Sequence, residues 1–126
     1  MGNLLDTAAW IELFKGTQLG LKVKEIIKEE RCCTSIVSLA EVISWCSLNN
    51  LDLLEYIEII EKNSLILNLK KNIVIMAGKI TTVRKKKIHN WGIMDGFVYA
   101  TAQYYGMTVV TKDTHFKGLP DVQLLE

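Results

Sequence analysis

The stretch "IMDGFVYATAQYYGMTVVTKDTHF", residues 93 to 116, constrains the fold most, because a helical pattern runs into a strand pattern across only Gly106-Met107. Met94, Phe97, Val98, Thr101, Ala102 and Tyr105 recur at the spacing of a helix that buries one face. Gly106 follows the last of them, and glycine there accepts the left-handed conformation that ends helices. Thr108-Val109-Val110-Thr111 is short, β-branched and uncharged, the composition of a buried strand. So short a link folds the strand back along the helix. The helix covers about 18 Å at the normal rise, and the strand with its flanks covers roughly 13 to 20 Å. Asp95, in the first helical turn, therefore comes level with Asp113, just past the strand.

The alternation recurs along the chain. "NLLD" reads as a strand ending at Asp6, Ala8 to Phe14 as a helix broken by Gly16 and Gly20, and Leu21 to Glu30 as an amphipathic helix. "CCTSIV" is a second strand, Leu39 to Leu48 and Leu51 to Lys62 are helices about the turn Asn49-Asn50, and "LILNL" is a third strand. Lys70 to Lys86 is a long helix, and "VQLL" near the end is a fifth strand. Strands separated by helices predict an α/β fold with a parallel sheet covered on both faces. One proline and no Gly/Ser-rich tract or repeat leave no linker, so residues 1 to 126 read as a single domain with its own core.

In a parallel sheet every strand delivers its carboxyl end to one edge, where ligands bind at the point of strand-order reversal. Asp6 ends the first strand, Glu41 opens the helix after the second, and Asp95 and Asp113 share the edge by the helix-strand geometry above. Each acid alone has an ordinary structural role. Asp6 can cap the helix starting at Thr7, Ser38-Leu39-Ala40-Glu41 matches a capping box, Asp95 suits a helix N-terminus, and Asp113 can organise a turn. Together they repel, and crowded carboxylates destabilise a fold unless a cation is shared among them. Glu12, two turns along its helix, is expected to point away from this rim.

Composition removes several classes of function. Net charge is +1, so no global field favours nucleic acid, although "VRKKK" at residues 83 to 87 concentrates positive charge. In that run Lys85, Lys86 and Lys87 are candidates for steering phosphates, beside the plainer role of a solvated helix C-terminus. Three cysteines, Cys32, Cys33 and Cys46, lack metal or disulfide spacing, and two histidines, His89 and His115, make no histidine cage. No basic leader, myristoylation pattern or membrane-length apolar run is found, and a cytoplasmic location is expected.

Oxygen ligands suit hard cations, which favours Mg²⁺ or Mn²⁺ over zinc. Such ions activate water and stabilise the leaving oxygen of a phosphodiester, which supplies what a site without a protein nucleophile lacks. Thr7 and Thr111 stand beside two of the acids and are expected to support them through hydrogen bonds.

The ordered pieces "LLDTAAWIELF", "TSIVSLAEV", "MDGFVYATAQYYGMTVVTKDTHF" and "LPDVQLL" resemble PIN-domain nucleases, and the length resembles the VapC-type toxins of toxin-antitoxin pairs. The resemblance spans nearly the whole chain, with residues 45 to 90 contributing little. It implies a three-layer α/β/α domain with a central parallel sheet of four to five strands. It also implies Mg²⁺- or Mn²⁺-dependent endoribonuclease activity, a cognate antitoxin that occludes the site, and a homodimer. Position by position, the family's acids fall on Asp6, Glu41, Asp95 and Asp113, with Thr111 as the neighbouring hydroxyl. The chain departs from the pattern at Ala8, where a hydroxyl residue is common, at Gly96, where alanine is usual, and at His115, where many members have another acid. Two other readings stand beside it. A phospho-accepting receiver domain has this length, but needs an acidic pair after strand one and an aspartate ending strand three, and "LILNL" ends without an acid. A non-catalytic interaction module of the same fold, or an RNA-processing nuclease outside a toxin-antitoxin pair, keeps the architecture and changes the role.

Overall fold

The computed structural model describes residues 2 to 126. Five short strands, β1 (Asn3–Leu5), β2 (Cys32–Ser35), β3 (Leu65–Leu67), β4 (Thr108–Thr111) and β5 (Val122–Leu124), form one sheet in the order β3-β2-β1-β4-β5. All four pairings are parallel. The chain begins at the centre, builds outward through β2 and β3, then crosses to β4 and β5 on the other side. Strand order therefore reverses between β1 and β4, where an open α/β sheet leaves a crevice at the carboxyl ends. A receiver-type sheet runs 2-1-3-4-5, so that alternative is excluded.

Alternating side chains divide the core into two layers, as strand geometry requires. Leu5, Cys32 and Val110 face a cluster with Ala9, Trp10, Val23, Val42, Cys46 and Ile60. Those residues come from α1 (Thr7–Lys15), α2 (Gln18–Glu29), α3 (Ile36–Leu48) and α4 (Leu53–Asn63). Leu4, Cys33 and Val109 face the opposite cluster with Val98, Tyr99, Ala102, Trp91 and Phe116. That layer is α6 (Ile93–Tyr105), backed by α5 (Lys71–Arg84). The result is the expected α/β/α sandwich. Cys32 and Cys33 are buried free thiols that serve opposite layers of the core, which is the packing reason for two adjacent cysteines in β2.

Several local expectations are corrected. Gly20 does not break a helix: it sits in the first turn of α2, which is capped by Thr17, while Gly16 alone ends α1 at φ 67°. A Cβ at Gly20 would overlap the Glu12 carbonyl, so glycine there lets α1 and α2 close together. Ile36 and Val37 belong to α3 and not to β2, because the Ser35 hydroxyl accepts the Val37 amide at 3.3 Å and starts the helix. The capping box at Ser38 is therefore absent. Ser38 is fully buried within α3, its hydroxyl has no hydrogen-bond partner among the described residues, and Glu41 is released from capping duty. β3 stops at Leu67, and α5 at Arg84. The α6 pattern is also broader than one stripe. Gly96, Val98, Tyr99, Ala100, Thr101 and Ala102 are all buried, since α6 lies between the sheet and α5.

Candidate functional site

Asp6 follows β1 directly. Its amide donates to the Val110 carbonyl at 3.2 Å, continuing the pairing with β4 past the last residue of the strand. Its side chain caps α1, with Oδ1 accepting the Ala9 amide at 3.0 Å, so the plainer role assigned to it is real. The second oxygen, Oδ2, accepts the Thr111 hydroxyl at 2.5 Å. That hydroxyl in turn accepts the Asp113 amide at 2.9 Å. One threonine thus links the ends of β1 and β4 across the reversal point.

The other acids divide their oxygens in the same way. Glu41 Oε1 accepts the Thr7 hydroxyl at 2.6 Å. Asp95, in the first turn of α6, turns back to accept the Gly92 amide on Oδ2 at 3.0 Å. Asp113 caps the single 3-10 turn Thr114–Phe116, with Oδ1 accepting the His115 amide at 2.9 Å. Glu41 Oε2, Asp95 Oδ1 and Asp113 Oδ2 have no hydrogen-bond donor among the described residues. In each of these three carboxylates a hydrogen bond fixes one oxygen and leaves the other over.

Asp6, Glu41, Asp95 and Asp113 line one cleft of about 200 Å³, together with Thr7 and Ala8. The four acids come from four different elements and meet as the sheet-edge geometry expects. Burial raises the Asp6 carboxyl from its ordinary 3.8 to about 7; the hydrogen bonds from Thr111 and Ala9 oppose this, and the charges of Asp113 and Glu41 add to it. A carboxylate that is hard to ionise beside three others is an unmet demand for positive charge. Glu12 stays out of this cleft: it is buried with Oε2 2.9 Å from the Lys112 ammonium, and that hydrogen bond holds its carboxyl below the usual range.

His115 joins the site, which the sequence reading treated only as a departure. Its Nδ1 lies 3.3 Å from Asp95 Oδ2 and 3.4 Å from Asp113 Oδ1. One ligand atom from each of Asp95, Asp113 and His115 falls within 4.8 Å of the others, the spread expected of donors around a single ion. The signal available in the sequence was Asp113-x-His115 directly after a strand, where an aspartate that caps a tight turn swings the second residue back to its own carboxylate.

The basic run divides. Ile80, Arg84 and Ile88 recur every four residues; the two isoleucines pack against the core, and Arg84 between them is half-buried with its Nε fully so. Its Nη2 donates to the His115 and Lys117 carbonyls at 2.7 and 2.8 Å, and its guanidinium lies 5.6 Å from the Trp91 ring centre. Arg84 is thus a clamp on the turn that carries His115 and not a free cation. Lys85, Lys86 and Lys87 are exposed beyond it and do not line the acid cleft. Trp91 is fully buried against Phe116, so it is unavailable as a stacking platform. Gly96 has a packing role: a Cβ there would overlap the Thr81 hydroxyl and lie 3.0 Å from the Ala77 carbonyl.

A larger groove lies elsewhere. It holds about 520 Å³ and is lined by Leu13, Phe14, Leu21, Ile27, Tyr56 and Ile59 among others, so its chemistry is apolar contact.

The family model described as "PIN domain" matches residues 4–122. The chain belongs to the PIN domain family. Comparison with curated proteins gave no match. Among solved structures, this PIN domain is similar to a toxin-antitoxin complex from Klebsiella pneumoniae, with TM-score 0.81, 20% identity, and 99% of this chain and 98% of that chain covered. It is also similar to VapBC2 from Rickettsia felis bound to a DNA fragment from their promoter, with TM-score 0.78, 18% identity and both chains covered at 100%. A third is VapC20 from Mycobacterium tuberculosis, a Sarcin-Ricin loop cleaving toxin, with TM-score 0.78, 13% identity, and 99% of this chain and 100% of that chain covered. The PIN domain here therefore has the fold of chains found in toxin-antitoxin complexes. No helix among the described residues is long and apolar enough to cross a membrane.

Proposed function

We propose that this PIN domain is a metal-dependent endoribonuclease and the toxin of a toxin-antitoxin pair. The observation that carries the reading is the cleft in which Asp6, Glu41, Asp95 and Asp113 converge, with Asp6 buried and uncompensated by any cationic side chain lining the cleft. The donor set suits a divalent ion: carboxylate oxygens predominate, and each acid is already oriented by a hydrogen bond. Asp6, Glu41, Asp95 and Asp113 would hold Mg²⁺ or Mn²⁺. When bound, such an ion supplies water activation and charge stabilisation at a phosphodiester.

The chain's own groups do the positioning. Thr111 holds Asp6 and the Asp113 backbone together, and Thr7 fixes Glu41. Lys85, Lys86 and Lys87, exposed past the end of α5, attract the RNA backbone through charge. The apolar 520 Å³ groove between α1, α2 and α4 supplies a surface for the apolar face of an antitoxin segment. A homodimer is supported by the exposed Val74, Ile75 and Val83 on α5, and the cytoplasm is where such an enzyme would meet its RNA.

The test is cleavage of RNA by the purified chain with Mn²⁺, with EDTA, and in Asp95→Asn and Asp113→Asn. Cleavage that needs the ion and both aspartates, in variants with unchanged circular dichroism, supports the proposal. Full cleavage in EDTA or in both variants would falsify it.

A further inference from the structure

We infer that His115 is a nitrogen ligand of the acid site, and that through it the site takes first-row transition ions in preference to Mg²⁺. The inference rests on the metal-nuclease reading and goes beyond it, because four carboxylates alone prescribe an oxygen-only site. His115 Nδ1 faces two of those carboxylates at once, 3.3 Å from Asp95 Oδ2 and 3.4 Å from Asp113 Oδ1. As a ligand the neutral ring offers the Nδ1 lone pair, and one donor atom from each of Asp95, Asp113 and His115 falls within 4.8 Å of the others.

The ring is held for this role at both ends of its residue. The His115 amide donates to Asp113 Oδ1 at 2.9 Å, and its carbonyl accepts Arg84 Nη2 at 2.7 Å. Arg84 is itself anchored, through a second bond to the Lys117 carbonyl at 2.8 Å and its packing beside the buried Trp91 ring. Phe116, the next residue, is buried beneath the turn. The backbone that aims the imidazole therefore cannot drift without breaking this set. An imidazole suits transition ions, whereas Mg²⁺ demands oxygen and keeps its waters.

Manganese is the probe, read by pulsed electron paramagnetic resonance on the full-length chain. Nitrogen hyperfine coupling to bound Mn²⁺ is expected in the wild type and in His89→Ala, and is expected to vanish in His115→Asp. The Mg²⁺ excess that displaces half the Mn²⁺ should fall at least about tenfold in His115→Asp, the scale on which even outer partners of metal ligands act. Mn²⁺ that binds the wild type without nitrogen coupling, or coupling that survives in His115→Asp, overturns the inference while sparing the nuclease reading. No Mn²⁺ bound at all overturns both.

Discussion

Thr111 donates its hydroxyl hydrogen to Asp6 at 2.5 Å, although 105 residues separate them. The same oxygen accepts the Asp113 amide at 2.9 Å, so one buried hydroxyl ties together two acids that lie just past the ends of neighbouring strands. Thr111→Val removes both bonds and keeps the shape, whereas Thr111→Ser keeps the hydroxyl. The valine variant is expected to lose about 10- to 100-fold in Mn²⁺ affinity, as for other outer partners of metal ligands. Serine should restore most of it, as read by calorimetric titration of Mn²⁺.

The metal-free protein should weaken as pH rises. Burial raises the Asp6 carboxyl from 3.8 to about 7, so between these values the folded state holds a proton that the unfolded state has lost. Stability from this group is complete below about pH 4 and is lost as pH climbs through 7; the difference corresponds to roughly 4 kcal/mol. Urea denaturation from pH 4 to 8 should show the decline in the wild type and a smaller one in Asp6→Asn. Saturating Mn²⁺ should abolish it.

Gly96→Ala is expected to destabilise the fold by about 1 to 3 kcal/mol, the usual cost of overpacking. The added methyl meets the Thr81 hydroxyl and lies 3.0 Å from the Ala77 carbonyl of α5, and relief comes from turning the Thr81 side chain or from a shift of α6, which carries Asp95 in its first turn. The urea midpoint measures the loss. Gly78→Ala, whose Cβ meets open space, should not be overpacked and serves as the control.

Replacing Lys85, Lys86 and Lys87 together with alanine should lower the salt dependence of RNA binding by up to about 3 in the log-log slope, and leave Mn²⁺ affinity unchanged. All three are exposed and away from the acid cleft. An unchanged slope would remove them from the RNA-binding surface.

The central acids were readable from the sequence because helix length, strand length and the two-residue link are local quantities that fix where Asp95 and Asp113 meet. Parallel alternation then carried Asp6 and Glu41 to the same edge. What escaped was set by tertiary packing. The helix start at Ser35 in place of Ser38 depends on where β2 stops pairing with β3. The inward turn of Arg84, one cation in a run that looks solvated, depends on the His115 and Lys117 carbonyls thirty-odd residues away. His115 entered the site through the turn that Asp113 caps, a geometry that neither periodicity nor charge pattern expresses.

Thermal unfolding of the wild type and Asp6→Asn, each with and without Mn²⁺ at pH 8, tests most directly whether the cleft is built around a cation. The wild type should gain about 2.7 kcal/mol at a hundredfold excess over its dissociation constant. Asp6→Asn should be more stable than the wild type without metal and gain nothing from it. An equal Mn²⁺ gain in both proteins, or none in the wild type, would contradict a shared cation among the four carboxylates.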